Sequence, residues 1–129
     1  MFLRPLIHHS SSSHHLYKEA DGAVIATHLL TAFDSASRRT GLLKHECLPE
    51  GSALIIAPSN AIHTFFMRFA IDVAFVAKDG RVLKVCHAMR PWRMAAALRG
   101  FAVVELPDGV LARTQTRAGD RLVIKTWKG

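Results

Sequence analysis

His63-Thr64-Phe65-Phe66-Met67-Arg68-Phe69-Ala70-Ile71-Asp72-Val73-Ala74-Phe75-Val76 is the stretch whose reading decides the fold. Ile62, Thr64, Phe66 and Arg68 alternate with His63, Phe65, Met67 and Phe69. After Ala70 the alternation restarts, with Ile71, Val73 and Phe75 set against Asp72, Ala74 and Val76. A period of two marks β-structure, so the stretch predicts two strands meeting at a short corner. His63 and Asp72 then stand on faces whose other members are apolar. A buried polar group without a partner costs roughly 1–3 kcal/mol, so each implies a compensating contact.

The flanking sequence extends the β reading. Ala53-Leu54-Ile55-Ile56-Ala57 reads as a buried strand stopped by Pro58-Ser59-Asn60. Asp79-Gly80 predicts a hairpin turn into Arg81-Val82-Leu83-Lys84-Val85-Cys86-His87, because this pair tolerates the positive φ of a type I′ turn. Asp21-Gly22 gives the same signal between Leu16-Tyr17-Lys18-Glu19 and Ala23-Val24-Ile25-Ala26. Phe101 to Leu106 and Arg121 to Trp127 are further strands, and a loop or short helix lies between them. From Thr31 the period changes: Phe33, Ala36, Thr40 and Leu43 fall at helical spacing, with Thr31 or Asp34 able to cap. Arg90-Pro91-Trp92-Arg93 opens an irregular connection, and Met94 to Leu98 fits one helical turn. The expected fold is mainly β, a compact antiparallel sandwich or partly open barrel, with one α-helix near the N-terminal third.

At 129 residues, half of them hydrophobic, the chain suits a single domain with a core independent of disulfides or metal. That domain is expected over residues 16–129, after a disordered polar arm over residues 1–15. The arm holds the low-complexity stretch His8-His9-Ser10-Ser11-Ser12-Ser13-His14-His15. No apolar run approaches the roughly 18 residues that a bilayer span needs. Met1 to Ile7 is too short and too soon interrupted for a secretory core, so the expected setting is cytoplasmic. Cys47 and Cys86 lack CxxC and zinc spacing and read as two reduced structural thiols, a bridge between them being the alternative. The net charge of +7 comes with eleven arginines and six lysines, which raises weak nucleic-acid binding. The basic residues are scattered without a run of five, so solvated faces are the simpler reading and nucleic acid is not the expected partner.

An ordered set of motifs resembles the domain-of-unknown-function 192 family of bacteria and archaea. The carrying residues are Arg39-Thr40-Gly41-Leu42-Leu43, Thr64-Phe65-Phe66-Met67, Ile71-Asp72-Val73 and Asp79-Gly80-Arg81-Val82. Val104-Glu105-Leu106-Pro107-Asp108-Gly109 and Ala118-Gly119-Asp120-Arg121 complete the set, from about Leu16 to Lys125. The resemblance implies a jelly-roll-like β domain with one helix, and brings no established activity, cofactor or partner with it. Leu43 stands where the family has Met, a near-isosteric exchange. Ala70 stands where many members have Pro, so the corner before Ile71 is less rigid.

Candidate chemistry centres on few residues. His63, Asp72 and Glu105 can supply acid–base groups, with Ser59 or Thr64 as nucleophile, yet no GxSxG, HExxH, Walker or GxGxxG motif accompanies them. Asp72 can instead form a structural ion pair with Arg68 or with an arginine of a neighbouring strand. Glu105, on the side of its strand shared with Phe101 and Val103, can pair with Arg81, Arg121 or Lys125, or form the polar floor of a pocket. His28, His45, His63 and His87 are spread over four segments without His-x-His, so neither a metal nor another cofactor is expected. Arg90, Trp92 and Arg93 form a surface-recognition candidate, the alternative being a Trp that plugs the end of the sandwich. The favoured class is a non-enzymatic domain that binds a small molecule or a partner segment around His63, Thr64, Met67, Asp72 and Glu105. The runner-up is a small enzyme acting on a carbohydrate or polar metabolite through Asp72 and Glu105.

Overall fold

The described residues, 1–8, 14–42 and 45–127 of a computed structural model, form ten strands and three short helices. In chain order these are α1 (Arg4–His8), β1 (His14–Lys18), β2 (Val24–Ala26), β3 (His28–Ala32) and α2 (Ser35–Thr40). Then come β4 (Ser52–Ile56), β5 (Ala61–His63), β6 (Ile71–Val76), β7 (Val82–Met89) and β8 (Met94–Ala96). β9 (Ala102–Pro107), α3 (Val110–Arg113) and β10 (Leu122–Thr126) complete the order. With 43% of residues in strands against 12% in helices, the chain is mainly β, in several sheets and without a closed barrel among the described residues.

A five-stranded sheet, β3-β4-β9-β6-β7, carries the core. Its strands β4, β6 and β9 are buried at every position, because both faces are covered. The three-stranded sheet β10-β1-β2 shares one face's cluster: Ala53, Ile55, Ala74, Val104 and Leu106 pack with Leu16, Ile25, Leu122 and Ile124. The other face gathers Leu54, Ile56, Ile71, Val73, Phe75 and Val103 with Leu42, Leu48 and Met67. Alternation along each strand sends neighbours to opposite layers, and each fully buried Ile, Val or Phe contributes roughly 1.5–3 kcal/mol. Pairings are antiparallel except β3–β4, which is parallel and bridged by the segment containing α2.

Both Asp-Gly turns form where expected, with Gly22 at φ +72° and Gly80 at φ +95°, but Asp21 and Asp79 do not share the positive φ, so neither pair makes the type I′ turn expected of it. Asp34 caps α2 by accepting a bond from the Ser37 amide at 2.8 Å, while Thr31 belongs to β3. Leu43, the last apolar position read into that helix, and residues 9–13 of the low-complexity stretch lie outside the described residues.

Three further expectations are corrected. The alternation from Thr64 to Phe69 is not a strand: β5 stops at His63, and the chain turns with Phe66 at φ +68°. Thr64 causes this, since its backbone and hydroxyl bond the 90–93 loop rather than a neighbouring strand. Met94–Ala96 is a strand paired with β5, not a helical turn. The arm expected over residues 1–15 is corrected at its described residues alone: His14 and His15 open β1, α1 forms, and Phe2, Leu3 and Leu6 are buried in the first cluster. Their i, i+3 spacing over a single turn is too brief to register as a pattern.

Candidate functional site

Asp72 and Glu105 are the two buried carboxyls of the five-stranded sheet, on neighbouring strands and opposite faces. Register pairs Asp72 with Leu106, and Val73 with Glu105. Directly opposed side chains share a face, so Asp72 joins the layer of Leu106 and Glu105 that of Val73. Chemistry needing both carboxyls in one cavity is therefore not assembled.

Asp72 is 1% exposed and its partners are backbone amides. Oδ1 accepts from the Ala88 N–H at 2.8 Å, and Oδ2 from Leu111 at 2.9 Å and Gly109 at 3.2 Å. The Ala88 bond has a local cause. β7 carries one extra residue opposite Asp72, since Ile71 pairs with Met89 but Val73 with Cys86, and Ala88 sits in that bulge at φ +48°. The expected arginine partner is not there, and Arg68 instead meets Glu46 at 3.6 Å in the open. Asp72 ties a bulge and the start of α3 to the sheet.

Glu105 has no such support. It is 3% exposed, and its Oε2 is buried without a hydrogen-bond partner among the described residues. Burial pushes its carboxyl up to about 8, so at neutral pH the group is mainly protonated and able to donate. The pairings expected with Arg81, Arg121 or Lys125 do not form: Arg121 pairs with Asp79 at 3.4 Å. Glu105 lies instead on a cleft of about 650 Å³ between α2 and the 59–67 segment. Leu42, Ile56, Ile62 and Met67 give it apolar walls; Arg38, Arg39, His63, Ser35 and Ser59 give it polar ones.

The structure thus brings three of the five proposed site residues, His63, Met67 and Glu105, onto one cleft. Thr64 and Asp72 are held in other contacts. Ser59 Oγ donates to the Ala61 carbonyl at 3.0 Å and Thr64 Oγ1 to that of Arg90 at 2.6 Å, so neither hydroxyl is bonded to an imidazole. Arg38 and Arg39, two of the scattered charges of the sequence, line the same cleft. Their signal in the sequence is adjacency to Gly41-Leu42, where the helix ends and the chain turns into the cleft wall.

Trp92 does not plug the sandwich: it is 57% exposed at φ +67°. Its ring packs on Phe65 at 5.7 Å and edge-on to Phe66, itself 70% exposed, at 4.7 Å. Arg90 and Arg93 flank this ridge, fixed from beneath by Thr64. Cys47 and Cys86 are free thiols. Among the described residues no three His, Cys, Asp or Glu side chains gather as a metal site, and no helix is long and apolar enough to cross a membrane.

A profile of the DUF192 family, described as Uncharacterized ACR, matches residues 17–124. A UPF0127 protein of Pyrococcus furiosus is 35% identical over 63 residues, 48% of this chain and 53% of that protein. The chain thus aligns with about half the length of that relative. A protein of unknown function from Novosphingobium aromaticivorans superposes with a TM-score of 0.72 at 22% identity, covering 84% of this chain and 81% of that one. A Sinorhizobium meliloti structure described as a candidate transcription regulator also gives 0.72, at 20% identity over 84% and 89%. At these identities the two structures show the fold alone. The profile spans most of the sequence, and the chain belongs to the DUF192 family.

Proposed function

We propose that this DUF192 chain is a non-enzymatic binding module that takes a small molecule into the cleft above Glu105. The observation that carries the reading is the carboxyl itself, buried, with Oε2 unpartnered among the described residues, on a cleft of about 650 Å³. Such a group costs the fold roughly 1–3 kcal/mol, which a ligand accepting its hydrogen bond offsets. Apolar walls around a few polar groups are the usual make-up of a small-molecule site. The separation of Asp72 from Glu105 across the sheet speaks against the two-carboxylate enzyme. The free state of both thiols is in keeping with a cytoplasmic setting, which belongs to the proposal.

The test is a metabolite library screened by amide chemical-shift mapping on the full chain. Binders are expected to move Gly41, Leu42, Ile62 and Met67, and Glu105→Leu to abolish the response. A library in which no compound moves these amides refutes the reading.

The ridge of Phe66 and Trp92 supports a second reading, docking of an acidic protein segment. Two large rings are exposed on strained backbone beside Arg90 and Arg93, and Trp and Arg are the residues that dominate hot spots. Acidic peptides selected for binding should lose affinity with Trp92→Ala and keep it with Glu105→Leu. Equal binding to both variants excludes the ridge. Nucleic acid, raised by the description of the Sinorhizobium neighbour, finds less support. Arg68, Arg113 and Arg121 sit in ion pairs, and the described helices have 4 to 6 residues, short for groove recognition.

A further inference from the structure

The charges around the Glu105 cleft are lopsided. Arg38 and Arg39 line it from α2 and His63 from the 59–67 segment, while among the described residues Glu105 is the sole acidic one of the lining. Among the described residues three of the nine other arginines meet a carboxylate: Arg68 has Glu46, Arg113 has Glu50 and Arg121 has Asp79. Among the described residues Arg39 has none, and Arg38 makes its hydrogen bonds to neutral groups, with the Asp34 carboxylate near enough to feel its charge. One Arg38 nitrogen donates to the Phe33 carbonyl at 2.8 Å and another to Ser35 Oγ at 3.4 Å. Those bonds fold the guanidinium back along α2 and leave its remaining N–H groups open. Arg38 is thereby pre-set rather than neutralised. Glu105 offers the cleft a carboxyl with a buried oxygen unpartnered among the described residues, and Leu42, Ile56 and Met67 line the same cleft.

We infer, resting on the small-molecule reading above, that the cleft takes a small amphipathic anion, a carboxylate or a phosphomonoester. Its charged group sits at Arg39 and Arg38, and an acceptor oxygen at its other end takes a hydrogen bond from Glu105. Guanidinium groups hold both kinds of anion through paired N–H donors. A cationic ligand would meet the two arginines at the mouth and would have to displace the Glu105 proton to be paired. A neutral ligand would satisfy the floor and leave the arginines unused.

A matched series tests this on the full chain at neutral pH and low salt, by amide shift titration. The probes are 6-hydroxyhexanoate, 6-hydroxyhexyl phosphate, 1,6-hexanediol and 6-amino-1-hexanol. The two anions are expected to bind about tenfold or more tighter than the diol, as a charge-assisted bond commands. The amino alcohol is expected to be the weakest. Arg39→Gln should bring the anions down towards the diol. Glu105→Gln, which keeps a donor, should bind the anions within about threefold of the parent, and Glu105→Leu about tenfold more weakly. The stronger of the two anions identifies the source of the charge, carboxylate or phosphate. Diol or amino alcohol binding at the cleft amides as tightly as the anions overturns the anion inference and leaves the small-molecule reading standing. No shift of the cleft amides by any probe overturns the inference, and the library screen then decides the broader reading separately.

Discussion

Asp72 and Glu105 sit one strand apart in the same sheet, are equally buried, and are treated in opposite ways. Asp72 is met by three amide donors, supplied by a bulge in β7 and by the turn into α3. Among the described residues Glu105 is met by none, and the face it occupies opens onto a cleft. A sheet this apolar can hold a carboxyl as a fastener if the backbone is shaped around it. Where the backbone is not, the carboxyl is held at a cost to the fold. The contrast separates a residue kept for structure from one whose retention calls for another reason.

The largest expected effect is at the fastener. Asp72→Ala leaves three amides without their acceptor and should lower stability by about 4 kcal/mol, measured by urea melts. A loss under about 1 kcal/mol would mean that water replaces the carboxylate and would remove one side of the contrast. At the second carboxyl the sign reverses. Glu105→Gln keeps the shape and discards the ionisable group, and at pH 7 it should raise stability by roughly 2–3 kcal/mol.

The pH profile sharpens that reversal. The folded pKa of Glu105 is raised to about 8 from 4.5, so between these values the unfolded chain is ionised while the folded chain keeps its proton. Its contribution is therefore fully present at low pH and is lost as pH rises towards 8, with a slope of up to about 1.4 kcal/mol per unit. The difference between the parent and Glu105→Gln isolates this slope. Asp21, Asp34 and Asp79 titrate identically in both, below the ordinary carboxylate range because backbone amides bond them. A parallel pair of profiles would contradict the assignment. The smallest effect belongs to the cleft mouth. Arg39→Gln, at an exposed position, should change stability by less than about 0.5 kcal/mol while weakening anion binding.

The sequence made one half of the contrast legible. Period two places Glu105 on the face of Val103 and opposite Val104 and Leu106, as the two core clusters have it. It also made Asp72 a buried polar group in need of partners. The partners were hidden, because a bulge at Ala88 and the approach of Leu111, 39 residues away, are products of tertiary packing. The cleft was hidden for the same reason: α2 and the 59–67 segment are distant from Glu105 in sequence and meet it only in the tertiary fold. The alternation through Phe65, Phe66 and Met67 misled, since Thr64 bonds the 90–93 loop and ends the strand.

The most direct measurement is the side-chain carboxyl carbon shift of Glu105, followed by NMR against pH in the folded protein. The midpoint is expected near 8, moved by an anionic cleft ligand and unmoved by the neutral diol at equal concentration. A midpoint near the ordinary 4.5 would show a solvated or paired carboxylate, and would contradict the claim that Glu105 is a buried acid awaiting a ligand.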